Sequence, residues 1–201
     1  MQSPAIAEPS GRQIETWWKW AAGFSHSNGP FRLQIGNEFD TIPQPQPLMI
    51  FCLSCTAGSG GVDPKPRPLA AALRSGVPVL VPVFVGSNYA DESSSIPLID
   101  QARMIVGTVD AAGNASTPDV FLKIDGTSLT PFKVEQEVNS VSFVKDNNFG
   151  MREGTYNIAT VGYWALITPP PLVKSIEFGG RGGHVSDKDM NSFETGVTYT
   201  V

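Results

Sequence analysis

The chain has 201 residues, of which 41% are hydrophobic and only 16% are charged, and its formal net charge is −5. This acidic balance lacks the basic surface that nucleic-acid binding requires, and no apolar run approaches the roughly 18 to 20 residues of a membrane-spanning helix. The 17 prolines and 20 glycines favour many short strands joined by turns, within one domain of ordinary size.

The N-terminal region predicts a tail followed by a helix. Residues 1–10 have neither the basic nor the apolar region of a signal peptide, and we expect this tail to pack on the domain or on a neighbouring copy. Ser10 and Gln13 fit a capping box. Apolar residues then recur at helical spacing, and Gly23 follows them. The residues of this stripe are Ile14, Trp17, Trp18, Ala21 and Ala22.

The aromatic residues allow two interpretations. The tryptophans of the helix can be buried, where they would close an open edge or end of a sheet structure. Alternatively they can form a platform for sugars or another apolar ligand, and Trp20 suits that role because it lies off the buried stripe. Tyr163 and Trp164, in a later strand, would line an apolar cavity if the domain binds a small molecule.

Two apolar runs rich in β-branched and aromatic residues form the expected centre of the fold. They cover residues 48–53 and 77–85, and each is bounded by Gly, Pro and Ser. We predict both as buried strands of one body. Pro78 and Pro82 share a parity and cannot donate ladder hydrogen bonds, so we expect that side of the second run at an edge or a bulge.

The rest of the chain predicts one short helix, from Pro97 to Val106, and further strands. The strands are expected at 119–124, 127–134, 138–144, 156–167, 172–178 and 195–201, with Asp125-Gly126 as a hairpin turn and 179–190 as a glycine-rich loop. This spacing is typical of an antiparallel β-sandwich or jelly roll. The predicted fold is therefore mainly β, with a single sandwich domain over 11–201, an N-terminal amphipathic helix and one short internal helix.

Several segments, taken in their order along the chain, resemble segments of a known protein family. They are Trp17-Trp18-Lys19-Trp20, residues 47–61 and 76–84, Asp146-Asn147-Asn148-Phe149-Gly150, Gly162-Tyr163-Trp164, and residues 175–180 and 197–201. Together they are similar to an uncharacterised family of exported bacterial proteins that is common in cyanobacteria. The family has no assigned activity, so the resemblance implies only a β-rich fold and an extracytoplasmic location. The chain departs from the family at Lys174-Ser175, where a His-Thr pair is usual, and at an insertion around His184.

Few residues suit catalysis. The two histidines are His26 and His184, and neither lies in a motif of nucleophilic catalysis or of zinc binding. The polar loop after the second apolar run is the most acidic loop of the chain and contains Asp91 and Glu92. Loops at strand ends often hold sites, so Asp91, Glu92 and His184 are the catalytic candidates. The alternative for the two carboxylates is a solvated loop.

One segment could hold a metal. Asp187, Asp189 and Asn191 alternate oxygen-bearing side chains as a calcium loop does. Ser192 stands where an EF-hand has glycine, and the twelfth position is not glutamate, so an EF-hand is excluded. A looser Ca²⁺ site is the single cofactor that the sequence suggests, and a solvated loop is the alternative.

Two functions of different class follow from these patterns. The first is an exported, non-enzymatic module that binds a partner or self-associates through its tail and exposed strand edges. The second is a hydrolase that acts on a polymer such as a polysaccharide, through loop carboxylates and aromatic platforms. If the chain is an enzyme, we expect a concave pocket with convergent ionisable groups of perturbed pKa. If it is an assembly module, we expect contacts between copies of the chain.

Overall fold

The structure is a computed structural model, and it describes residues 4–25, 50–51, 61–62, 67–68, 77–89, 95–109, 114–147, 149–168, 172–182 and 193–200. These residues are mainly in strands and include two helices. The strands are β1 (Ala5–Ala7), β2 (Ile50–Phe51), β3 (Gly61–Val62), β4 (Arg67–Pro68), β5 (Val79–Tyr89), β6 (Asp119–Ile124), β7 (Thr127–Ser128), β8 (Phe132–Phe143), β9 (Gly154–Thr168), β10 (Ser175–Gly182) and β11 (Phe193–Thr200). The helices are α1 (Gly11–Ala22) and α2 (Leu98–Val106).

Strand β9 is the centre of the first sheet. It pairs antiparallel with β5 on one side, and with β8 and then β1 on the other. Strand β2 joins the start of β5 in parallel. The second sheet is built on β10, which pairs antiparallel with β6 and β11, while the short β3 and β4 run parallel to β11. The predicted antiparallel, mainly β character is therefore confirmed.

The two faces of the first sheet pack against different elements. On β9, Trp164 faces helix α1, and its ring lies 5.2 Å from that of Trp17. Residues that point to the opposite face of β9, among them Val161, pack in a cluster with α2. On that same face Phe84 of β5 closes on Gly180 of β10. The first sheet therefore lies between α1 on one face and α2 with the second sheet on the other.

Helix α1 begins as the sequence pattern indicates. The Ser10 N–H donates to Gln13 Oε1 at 2.7 Å, and the Gln13 N–H donates to Ser10 Oγ at 3.4 Å, which completes the capping box. All five residues of the apolar stripe are buried. Trp17 also meets Trp18 edge to face, with ring centroids 5.0 Å apart. Both indoles therefore contribute to the core, and the preceding tail packs on its own domain through β1.

Asn147 fastens the loop between β8 and β9 beneath α1. Its Nδ2 donates to the carbonyls of Val144 and Met151 at 2.8 and 2.7 Å, and its Oδ1 accepts from the N–H groups of Phe149 and Met151 at 3.0 and 3.2 Å. The Phe149 ring then lies 5.0 Å from that of Trp18. Because Asn147 is buried, its side chain satisfies backbone groups that water does not reach.

Strand β8 contains a bulge that the spacing of its apolar residues requires. Val138 and Val141 are both buried, although residues three apart in a regular strand face opposite sides. The register shifts between them, and Ser140 has a φ of 56°. The Ser140 N–H donates to Asn157 Oδ1 at 3.1 Å. The extra residue returns Val141 and Phe143 to the face that α1 covers.

The strand predicted at 127–134 is wrong beyond its first residues. Asp125 and Gly126 form the expected hairpin turn, with φ values of 49° and 77°, but β7 ends at Ser128. The chain then crosses to the first sheet and pairs with β9 from Phe132 onward. Pro131 has no N–H to donate, so the ladder of the second sheet cannot continue through it.

The glycine-rich loop predicted at 179–190 is also wrong at its start. Gly179, Gly180, Arg181 and Gly182 lie in β10, with partners in both β6 and β11. A Cβ on Gly180 would lie 2.8 Å from Phe84 Cγ, and one on Gly179 would lie 2.1 Å from the Thr195 carbonyl oxygen. These glycines permit close packing within a strand rather than a turn. Residues 183–190 lie outside the described part of the chain.

The two predicted central strands have different outcomes. The second run is strand β5, which continues to Tyr89, and its register shifts between Pro82 and Phe84, so the bulge expected from proline is confirmed. Of residues 48–53, the structure describes Ile50 and Phe51, in parallel pairing with the start of β5. The other four lie outside the described residues.

Replacing Asn147 with Asp tests the loop contact. The substitution keeps the acceptor oxygen but removes both donated hydrogen bonds and sets a carboxylate against two carbonyl oxygens. We expect a loss of about 2 to 3 kcal/mol in the free energy of unfolding at neutral pH, measured by urea denaturation. Asn157→Asp is the matched control, because the exposed Asn157 uses its oxygen to accept from Ser140. Equal losses in the two variants would contradict this role of Asn147.

Candidate functional site

The candidate residues predicted from loops lie outside the described part of the chain. This applies to the catalytic candidates Asp91, Glu92 and His184, and to the calcium candidates Asp187, Asp189 and Asn191. Both ends of the acidic loop are nevertheless fixed. Asn88 Nδ2 donates to Gln101 Oε1 at 2.6 Å, and Gln101 Nε2 donates to the Ile96 carbonyl at 2.7 Å. One side chain of α2 thus links the end of β5 to the start of the helix.

The three aromatic candidates do not converge. Trp164 is fully buried beside Trp17. Tyr163 is its neighbour in β9 and so faces the opposite side of the sheet, towards α2. Trp20 is half-buried, with its ring 5.5 Å from that of Phe24. Tyr163 and Trp164 therefore do not line one cavity.

Charged side chains do converge where β8 meets α2. Lys133, Glu135 and Glu137 alternate along β8, opposite Tyr163, Val161 and Ala159 of β9. This register places all three on the face that α2 covers. Helix α2 adds Asp100 and Arg103. We call these five residues, Lys133, Glu135, Glu137, Asp100 and Arg103, the charged edge.

Arg103 is the centre of the charged edge. Its Nε and Nη2 donate to Glu135 Oε2 at 2.9 and 2.5 Å, and its Nη1 donates to Asp100 Oδ1 at 2.7 Å. Lys133 Nζ lies 2.9 Å from the other oxygen of Glu135. Both carboxylate oxygens of Glu135 are therefore engaged by cations, and these contacts tie α2 to the first sheet.

These contacts move the pKa values of the central pair apart. Hydrogen bonding from Arg103 holds the pKa of Glu135 below its ordinary value, against the opposing effect of burial, and Lys133 adds to the lowering. Hydrogen bonds to Glu135 and then Asp100 raise the pKa of Arg103. Both groups are therefore charged at neutral pH. A general acid or base would need a pKa shifted towards neutrality instead.

The outer edge of β8 adjoins this cluster. Among the described residues, β8 pairs with β9 on one side and with no strand on the other. Lys133, Glu137, Asn139, Ser140 and Ser142 are exposed along it. A strand with one free side presents alternate N–H and C=O groups that can pair with another chain. The charged edge is therefore the best-defined candidate interaction site in the described structure.

No protein-family model matches the sequence, and no solved structure matches the fold. Within the described ranges no helix has the length and apolar character to cross a membrane. Nor do three or more His, Cys, Asp or Glu side chains gather there in a way that could hold a metal ion.

The sequence carries only part of the signal for the charged edge. Lys133, Glu135 and Glu137 have the period of two of a strand face, but the predicted strands at 127–134 and 138–144 divide this segment. Arg103 lies 32 residues from Glu135, and no local pattern links them. A single strand over 132–143 places the three charged residues in one row, but the sequence does not indicate that α2 packs beside it.

The low pKa of Glu135 predicts an acid-sensitive contribution to stability. The ionised form is favoured in the folded state, so the contribution is present above the unfolded-state pKa of about 4.3 and is lost as pH falls through the lower folded-state pKa. We expect Glu135→Gln to cost about 1 kcal/mol at pH 7, because the contact is partly solvent-exposed. In urea denaturation the difference should shrink progressively as the pH falls below about 4.3.

Glu137→Gln is the matched control for this measurement. Glu137 lies two residues along the same face and is exposed, and no ion pair joins it to another described residue. Its stability difference from the parent should stay small at each pH. A Glu135→Gln penalty that did not change between neutral and acidic pH would contradict the assigned ion pairing.

Proposed function

We propose that this protein is an exported, non-enzymatic interaction module of β-sandwich or jelly-roll architecture, which binds a partner or associates with itself through strand β8. The observation that carries the proposal is the 12-residue length of β8, together with its single pairing partner among the described residues. Strand addition at such an edge supplies main-chain hydrogen bonds, while alternate side chains give specificity.

The chemistry of the charged edge supports binding over catalysis. Four of its five residues, Asp100, Arg103, Lys133 and Glu135, are joined in ion pairs. Such a cluster can orient a complementary charged surface, because opposite charges across an interface set its register and discourage wrong partners. The lowered pKa of Glu135 and the raised pKa of Arg103 keep both side chains charged at neutral pH, so neither is suited to proton transfer.

The placement of the aromatic residues also favours this function over a sugar-processing enzyme. A carbohydrate platform requires exposed ring faces, and both Trp17 and Trp164 are buried in the core. The half-buried Tyr163 lies across the strand from Lys133, so it is the aromatic candidate closest to the proposed interaction site. We propose that it contributes to binding there.

The extracytoplasmic location is proposed from the resemblance to exported cyanobacterial proteins, as is membership of that family. A Ca²⁺ site at Asp187, Asp189 and Asn191 is a subsidiary proposal. Immunodetection in fractions of the organism that encodes the chain tests the location, and we expect the signal outside the cytoplasm. A signal confined to the cytoplasmic fraction would contradict export.

Light scattering coupled to size exclusion tests self-association. We expect the molar mass to rise above that of the 21.5 kDa chain as concentration increases over about a hundredfold range, because edge pairing is weak and reversible. Parallel runs with Ca²⁺ and with a chelator test whether the metal contributes. A chain that stayed monomeric throughout, and that released reducing ends from polysaccharides, would contradict the proposal and favour a hydrolase.

A further inference from the structure

The register of charges along β8 specifies a partner. We infer that the charged edge pairs with the same edge of a second copy, with the two β8 strands antiparallel about a twofold axis at Val134. This inference rests on the proposed function and deepens it, because it names the partner and the residues in contact. A twofold arrangement uses one surface twice, as most homodimers do.

The axis at Val134 brings opposite charges together. A twofold axis perpendicular to the sheet places residues at equal distances before and after the axis opposite each other. Lys133 then faces Glu135 of the second copy, and Glu135 faces Lys133 of that copy. Val134 faces its own equivalent, and Phe132 faces Gln136. Directly opposed side chains lie close enough to interact, with Cβ atoms about 4.5 to 5.5 Å apart.

The neighbouring registers are disfavoured by like charges. An axis at Lys133 sets two lysines against each other, and an axis at Glu135 sets two carboxylates against each other. An axis at Gln136 opposes Glu135 to Glu137. Like charges directly opposite are destabilising, so among axes at residues 133–136, Val134 alone avoids such a pair. Within this range the charge pattern selects one register, and axes further along are disfavoured by Pro131 on one side and by the bulge at Ser140 on the other.

The ends of the paired segment are set by the backbone. Pro131 has no N–H and would stand opposite Glu137, so the ladder ends there. In the other direction, the bulge at Ser140 bends β8 away from a straight ladder. The pairing is confined to residues 132–136, and an interface of that size is weak and depends on concentration.

Charge reversal tests the register. Lys133→Glu would set two carboxylates against each other, and Glu135→Lys would set two lysines against each other, so each variant alone should dimerise at least about tenfold more weakly than the parent. Mixed in equal amounts, the two variants restore opposite charges at both positions. The mixture should therefore form a heterodimer in sedimentation velocity. Glu153→Lys, the same charge change at an exposed residue of the loop between β8 and β9, should dimerise within about twofold of the parent because it is far from the axis.

A cross-link at the axis gives a second measurement that does not depend on affinity. In a background with Cys52→Ser and Cys55→Ser, Val134→Cys places two thiols opposite each other. Oxidised glutathione should convert them to a disulfide between copies, with release of reduced glutathione. Asn139→Cys is the control, because it is exposed on the same strand but far from the axis. Circular dichroism verifies that each variant is folded.

The outcomes separate this inference from the proposed function. A parent dimer unaffected by Lys133→Glu and Glu135→Lys would overturn the β8 pairing and leave an assembly module that uses another surface. Cross-linking at Glu135→Cys but not at Val134→Cys would overturn the register. A monomeric parent chain would overturn the inference, together with the self-association part of the proposed function. Heterodimer formation with a Val134→Cys cross-link would support it.

Discussion

Burial of β9 on both faces is the constraint from which the arrangement follows. An antiparallel strand with one wet face alternates apolar and polar residues, but the middle of β9 is apolar on both sides and is almost wholly buried. Each face therefore needs its own cover. Helix α1 brings indoles to one face, and α2 with the second sheet covers the other. On the first face the Trp17 ring of α1 lies 5.2 Å from the Trp164 ring of β9.

This arrangement explains why the tryptophans are structural. Trp17 meets two other indoles nearly at right angles, at 88° and 87°, the geometry in which the positive edge of one ring meets the negative face of another. The buried Nε1 atoms of Trp18 and Trp164 have no conventional hydrogen-bond acceptor among the described residues. Their packing must therefore offset an unsatisfied donor, which fits a tightly enclosed aromatic core.

Much of the fold could be predicted because hydrophobic periodicity and the residues that begin and end each element are local signals. The stripe of α1, the capping box at Ser10 and the Asp125-Gly126 turn each depend on a few neighbouring residues. The error at residues 179–182 has a different origin, since it depends on contacts distant in sequence. Gly179–Gly182 read as a loop because glycine is common in turns, and only the approach of Phe84 and β11 shows why a strand needs them there. The charged edge likewise depends on a distant contact, because Arg103 and Glu135 are separated by 32 residues that include β6 and β7.

The left-handed conformation of Ser140 bears on how copies of the chain could assemble, as well as on how β8 packs against α1. A long, flat, unprotected edge would let copies add one after another into fibres. The kink shortens the straight portion of β8, and in the proposed pairing Lys133 and Glu135 would disfavour other registers. Two copies that cover each other's remaining straight portion leave nothing of it for a third, so any association through this strand stops at a closed pair.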